Sequence, residues 1–385
     1  MCIYFYVLII MFVFVLLSFR AKPKQRDRYF MFCCCLMVLV LGLRGYQVGN
    51  DTPGYAQFIS GKNYTGFFSY GTVDKPEESL EWGFVALMRI IHIFTSSPTV
   101  LFLLQQTFLF TIIYYLYKRT NQEYALWSLL LFFVLNHGQF VFLSVALRQA
   151  ISTSFLLLGV CIIEYKKEEI KSFKGRWFRN KYLMLSIIIM LLAAFMHRTS
   201  IILFPFVLLS YYLKTSKKVA ISIIAATSLI AMYIPDTFSQ LFDFVLANIA
   251  GVADEKVSLM GDRYKDAFDD SSSQKVIFLF SRAVIPIFVI YFMDKKKVAP
   301  VFLNCILIST VISLIMSGSN MVARLVQVFA VIGGAAYVPM VAKRNLFVKC
   351  AMLVVTVGYL YKCYTAFVNW DYVEDSFLPY KFFWE

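Results

Sequence analysis

Residues 1–19 read MCIYFYVLIIMFVFVLLSF, residues 20–28 read RAKPKQRDR, and residues 29–43 read YFMFCCCLMVLVLGL. Two apolar runs are thus separated by a nine-residue connection holding five Lys or Arg. A helix rises about 1.5 Å per residue and the hydrocarbon core of a bilayer is about 30 Å thick, so runs of this length are built to cross it. A signal peptide would show a basic stretch before the apolar run and an A-x-A-like site after it. Neither is present, and 1–19 is read as a retained first span.

The same alternation continues through all 385 residues, of which 60% are hydrophobic and 16% charged, with a mean hydropathy of +0.69. Soluble domains sit near 45–50% apolar and about 25% charged. Apolar runs bounded by charge predict an all-α, polytopic membrane protein of about twelve spans: 1–19, 29–43, 99–117, 124–140, 141–163, 182–197, 199–213, 219–234, 275–293, 298–316, 321–342 and 346–364. Runs of this length exclude a barrel. Residues 81–94 have helical apolar spacing but carry Glu81, Arg89 and His92, which reads as an interfacial or re-entrant helix.

With the N-terminus outside, the connections 20–28, 118–123, 164–181, 214–218, 294–297 and 343–349 face the cytoplasm and hold 23 of the 37 Lys and Arg. The outer connections 44–80, 235–274 and 365–385 are longer and hold only three, three and one. This is the positive-inside bias. Counting 81–94 as a full span would invert everything after it. One transmembrane domain therefore carries three extracytoplasmic parts: loop 44–98 with its interfacial helix, acidic loop 235–274, and a C-terminal tail 365–385. Both termini are expected outside, and the membrane is expected to be a bacterial plasma membrane.

The net charge of +14 sits in these short connections, with no soluble module to present it to nucleic acid. The eight cysteines form no C-x-x-C pair, and no H-x-x-x-H or D-x-D spacing suggests a metal. No cofactor is expected. The residues that demand explanation are arginines within apolar spans, since a guanidinium at mid-membrane costs about 2.5–3.5 kcal/mol on insertion scales. Arg148 and Arg282 are each the eighth residue of an inward-running span, and Arg324 is the fourth. Arg44 ends the second span and Arg198 lies in a tight turn between two spans. All five fall near the outer surface, where planar guanidinium forks match a diphosphate. Asp51, Glu81 and His197 lie beside them as acid or base candidates. Glycines 45, 49 and 54 predict a non-helical path around Asp51. His92 and His137 read as structural.

Six short motifs recur in a recognisable order: L-R-G-Y-Q-V-G-N-D-T-P-G-Y at 43–55, E-W-G-F at 81–84, A-L-R-Q-A at 146–150, F-M-H-R-T-S-I-I at 195–202, A-R-L-V-Q at 323–327 and P-Y-K at 379–381. Together they resemble the EpsG family of Wzy-like polysaccharide polymerases, almost from end to end. The resemblance implies a fold similar to the GT-C lipid-dependent glycosyltransferases. It implies a glycosyltransferase that joins undecaprenyl-diphosphate-linked oligosaccharide repeat units, as donor and acceptor, into exopolysaccharide, capsule or O-antigen. A chain-length regulator is a further partner it suggests, beside the bilayer itself. The family pattern falls on Arg44, Asp51, Tyr55, Glu81, Arg148, Gln149, His197 and Arg324. After Arg324 this chain has Leu-Val-Gln where the family leads one to expect aromatic residues.

On this reading Arg44, Arg148, Arg282, Arg324 and Arg198, with Tyr55 and Gln149, bind the lipid diphosphate. One of Asp51, Glu81 and His197 accepts the proton of the attacking sugar hydroxyl. A lipid-linked oligosaccharide flippase or transporter has the same hydropathy, but alternating access calls for polar residues in both halves of the membrane, and no internal repeat is visible. An O-antigen ligase-type glycosyltransferase shares the donor and differs in its acceptor.

Overall fold

A computed structural model describes residues 3–45, 48, 52–60, 81–136, 143–171, 180–233, 272–294, 298–315, 320–368 and 382–383; of 57, 171, 272–281, 320–325, 340 and 366–368 it describes the backbone alone. Asp51, His137, nearly all of the acidic loop and the tail aromatics Trp370, Tyr372, Tyr380 and Trp384 lie outside the described residues. The regular elements are all helical: α1 (Ile3–Ser18), α2 (Pro23–Gly42), α3 (Thr52–Ile59), α4 (Trp82–Phe94), α5 (Pro98–Thr120), α6 (Ala125–Leu135), α7 (Leu147–Tyr165), α8 (Lys167–Lys171), α9 (Lys181–Met196), α10 (Thr199–Tyr212), α11 (Lys217–Tyr233), α12 (Ser272–Phe292), α13 (Pro300–Ile315), α14 (Asn320–Gly334) and α15 (Leu346–Val368).

Every predicted span contains a helix, with shifted ends. Among the described residues, three helices are long and apolar enough to cross a bilayer by themselves, namely α5, α7 and α15 over Leu346–Thr365. Others are shorter: α6 has eleven residues, or about 16 Å at 1.5 Å per residue. Large apolar side chains such as Val354, Ile93 and Phe94 are mostly exposed, which suits lipid rather than water as the surrounding solvent. The chain is a membrane protein.

The helices form two compact units, 1–207 with 342–385, and 208–341. In the first, α5 lies between α2 and α7, and α9 packs along α7. Helix α6, ALWSLLLFFVL, touches α1, α5 and α15 and is buried on every side, as expected of a helix apolar all round. Trp127 Nε1 donates to Thr356 Oγ1 at 2.8 Å and ties α6 to α15. The α7–α9 seam uses small residues, because close approach of backbones is what binds helices in lipid. Ser152 Oγ donates to the Ala193 carbonyl at 3.1 Å and Ser186 Oγ to the Gly159 carbonyl at 2.9 Å. A Cβ on Gly159 would lie 2.4 Å from Met190 Cγ.

In the second unit α13 packs against α11, α12 and α14. Asn304 Nδ2 donates to the carbonyls of Ser210 and Leu213, each at 2.8 Å, satisfying acceptors that the end of α10 leaves without intrahelical partners.

Candidate functional site

At one end of the first unit, α3, α4, α5 and α7 meet around an apolar cluster of Tyr55, Phe84, Met88, Phe102 and Leu147. Local sequence explains the meeting. Gly83 lets the start of α4 come against the end of α9, since a Cβ there would sit 2.6 Å from the Phe195 carbonyl oxygen. Trp82 and Phe195 pack with ring centroids 4.8 Å apart across the same junction. His92 donates from Nδ1 to the Ile59 carbonyl at 2.7 Å and joins the far end of α4 to α3.

This packing puts Glu81, the N-cap of α4, beside two other elements. Its side chain makes no capping bond to its own helix. Instead Oε2 accepts from Arg148 Nη1 at 2.9 Å, while Oε1 accepts from His197 Nδ1 at 3.1 Å and from the Arg198 backbone N–H at 3.2 Å. Arg148 Nε donates in turn to the Tyr55 hydroxyl at 3.1 Å. A chain of hydrogen bonds therefore runs Tyr55, Arg148, Glu81, His197 and links α3, α7, α4 and the α9–α10 turn. Ser152, one turn beyond Arg148 on the same face of α7, bonds to the Ala193 carbonyl and to Ser200, holding that turn in place.

The Glu81 side chain is 9% exposed and that of Arg148 23%. Burial alone would raise the Glu81 carboxyl, but the His197 hydrogen bond and the Arg148 charge outweigh it and hold the group well below the usual carboxylate range. An ionised Glu81 only accepts, so His197 Nδ1 carries a proton, which leaves Nε2 as the acceptor of the neutral ring.

Arg44 is fully buried. Its guanidinium lies 4.4 Å over the Phe102 ring, on the same apolar cluster, and Nη1 donates to the Leu41 carbonyl. Its backbone forms an antiparallel bridge with Phe382, and the Phe383 N–H donates to the Leu43 carbonyl at 3.0 Å. The chain thus returns to Arg44 immediately after the P-Y-K motif, a pairing no sequence signal announced. Phe102 also went unmarked, being one apolar residue in an apolar span.

Helix α7 begins at Leu147 after a break at Ala146 rather than running from 141, so Arg148 is its second residue and not the eighth of a span. The apolar run 141–146 hid that break. Residues Thr52–Ile59, Gly54 included, are helical where an irregular path was expected. Gln149 is buried beside Arg148, and the Arg198 side chain is exposed. Arg44, Arg148 and Arg198 belong to the first unit, Arg282 and Arg324 to the second. Arg282, the eleventh residue of α12, is exposed and donates from Nη1 to the Ser313 carbonyl at 3.1 Å. Arg324 is the fifth residue of α14. Among the described residues, no three His, Cys, Asp or Glu side chains gather as metal ligands would.

A model of the EpsG family matches residues 27–382, nearly the whole chain. No curated protein and no solved structure matches.

Proposed function

Because the chain belongs to the EpsG family, a family of Wzy-like polymerases, we propose that it is a polysaccharide polymerase at the outer face of a bacterial plasma membrane. It joins oligosaccharide repeat units carried on undecaprenyl diphosphate and releases undecaprenyl diphosphate. On this proposal the apolar helices provide about twelve spans, and the basic connections stay in the cytoplasm. Loops 44–98 and 235–274 and the tail then face outward, where the lipid-linked sugars are presented.

The observation that carries the reading is Arg148, in the first turn of α7 and held by both Glu81 and Tyr55. The helix N-terminus adds partial positive charge at the same end. The Arg44 guanidinium packs on the same apolar cluster through Phe102, and the Arg198 backbone N–H bonds to the carboxylate that holds Arg148. Cationic groups in one region of the chain suit a ligand with more than one negative charge. Charge builds on the diphosphate as the bond from the sugar breaks, and a preorganised guanidinium stabilises it in a site of reduced dielectric. Tyr55 and Gln149 support the binding surface, and Asp51, Glu81 and His197 are the groups able to take the hydroxyl proton.

Deletion of the gene in a polymer-producing strain tests this. Single lipid-linked repeat units should accumulate at the outer face, and polymer should return with the intact protein but not with Arg148→Ala at equal membrane abundance. Units trapped at the inner face would instead mean a flippase.

A further inference from the structure

We infer that Glu81 is a positioning residue and His197 the catalytic base, acting through Nε2; this rests on the glycosyl-transfer reading above. The geometry separates two residues that sequence leaves equivalent. Both Glu81 oxygens are engaged, by Arg148 at 2.9 Å on one and by His197 and the Arg198 N–H at 3.1 and 3.2 Å on the other. A carboxylate so committed is a poor proton acceptor, because protonation breaks its charge-assisted bonds. It is well placed to orient an imidazole. Its bond to Nδ1 fixes the tautomer, makes Nε2 the basic atom, and stabilises the imidazolium formed when Nε2 takes a proton. The ring also stands on a rigid mount. His197 is the extended C-cap of α9, its N–H bonds to the Ala193 carbonyl at 3.0 Å, and its carbonyl accepts from the Ser200 N–H at 3.0 Å. Its side chain is 18% exposed, which leaves it reachable.

In the step, the acceptor sugar hydroxyl attacks the anomeric carbon of the donor. A carbon–oxygen bond to the acceptor forms as the bond to the diphosphate breaks. The bonding electrons leave on the diphosphate oxygen, which stays with the lipid, and the hydroxyl proton passes to His197 Nε2 and later to water. Among the described residues, the charged groups around His197 are Glu81 from α4, Arg148 from α7 behind that carboxylate, and Arg198 on the same turn; Tyr55 from α3 stands behind Arg148.

The test uses the purified full-length protein in liposomes with polyprenyl-diphosphate-linked repeat units, following chain growth against pH for wild type, His197→Ala, Glu81→Gln and Glu81→Asp. Wild type should lose activity on the acid side as the ring is protonated. His197→Ala should lower kcat by about 10²–10⁴-fold and abolish that acid limb, with the donor KM within about threefold. Glu81→Gln should lower kcat and move the acid limb to lower pH, since the imidazolium loses its carboxylate, and Glu81→Asp should restore part of both. The Glu81→Gln profile decides the matter even where His197→Ala does not fold. An active wild type with an unmoved acid limb in Glu81→Gln, or with a wild-type profile in His197→Ala, overturns the assignment and leaves the polymerase reading standing. A folded wild type that makes no polymer overturns both.

Discussion

Removing the Arg148 guanidinium and its Glu81 partner together should cost clearly less than the two single losses added. Arg148→Ala leaves the Glu81 carboxylate, 9% exposed, without the guanidinium at 2.9 Å and with only the His197 and Arg198 N–H hydrogen bonds to hold its charge. Breaking a buried ion pair from one side typically costs about 3–5 kcal/mol. Arg148 retains 23% exposure, which places the cost near the lower end, about 3 kcal/mol. Glu81→Gln keeps a hydrogen-bonding acceptor for Arg148 and should cost about 1.5–3 kcal/mol. In the double variant Arg148→Met with Glu81→Gln no charge is stranded, so its loss should fall below the sum of the singles by about 2 kcal/mol, within the coupling seen for residues in one network. Unfolding of purified variants in mixed detergent micelles measures this cycle. Additive singles, with coupling under about 0.5 kcal/mol, would refute the claim that the pair is buried and mutually dependent.

Gly83→Ala should abolish polymer formation while membrane abundance falls only modestly, because the new Cβ, 2.6 Å from the Phe195 carbonyl oxygen, must push α4 off α9 and draw Glu81 from His197; polymer length profiles and immunoblots check it. Tyr55→Phe removes one 3.1 Å hydrogen bond to Arg148, worth about 0.5–1.5 kcal/mol, and should slow polymerisation by roughly 2- to 12-fold without abolishing it. At the opposite end, burial opposes ionisation of Asp27, but hydrogen bonds from Lys118 at 2.8 Å and Tyr114 at 2.7 Å win and lower its carboxyl. A lowered carboxyl contributes stability above its unfolded value, about 3.9, and loses it as pH falls through the folded one. Asp27→Asn should therefore flatten the unfolding midpoint between pH 5 and 3 by a few tenths of a kcal/mol and leave polymer yield unchanged.

Hydropathy made the helices legible because a bilayer imposes one length and one polarity on whatever crosses it. Helix ends were less so. Nothing apolar distinguishes Val141–Ala146 from Leu147–Tyr165, and only the backbone turn at Ala146 moves Arg148 from mid-span to a helix start. Arg148, Glu81 and His197 each stood out because charge in or beside an apolar span calls for explanation. Their partnership did not, since 67 and 116 residues separate Glu81 from Arg148 and His197 and no spacing rule reaches so far. The glycine of Glu81-Trp-Gly83-Phe permits a close backbone approach, but only the structure shows that α9 makes it. The bridge from Phe382 to Arg44 left no trace, because two aromatic residues near the end of an aromatic-rich tail look like interface anchors.

On the proposed function, Arg148 stabilises the departing lipid diphosphate. This is tested most directly by measuring, in liposomes supplied with lipid-linked repeat units, the release of polyprenyl diphosphate per unit added for wild type and for Arg148→Lys that unfolds like wild type. Wild type should release one diphosphate per unit added and the variant about 10²–10³-fold less, since a compact ammonium lacks the planar fork that spans Glu81 and Tyr55 while facing the anion. A folded Arg148→Lys protein that releases diphosphate at the wild-type rate would contradict it.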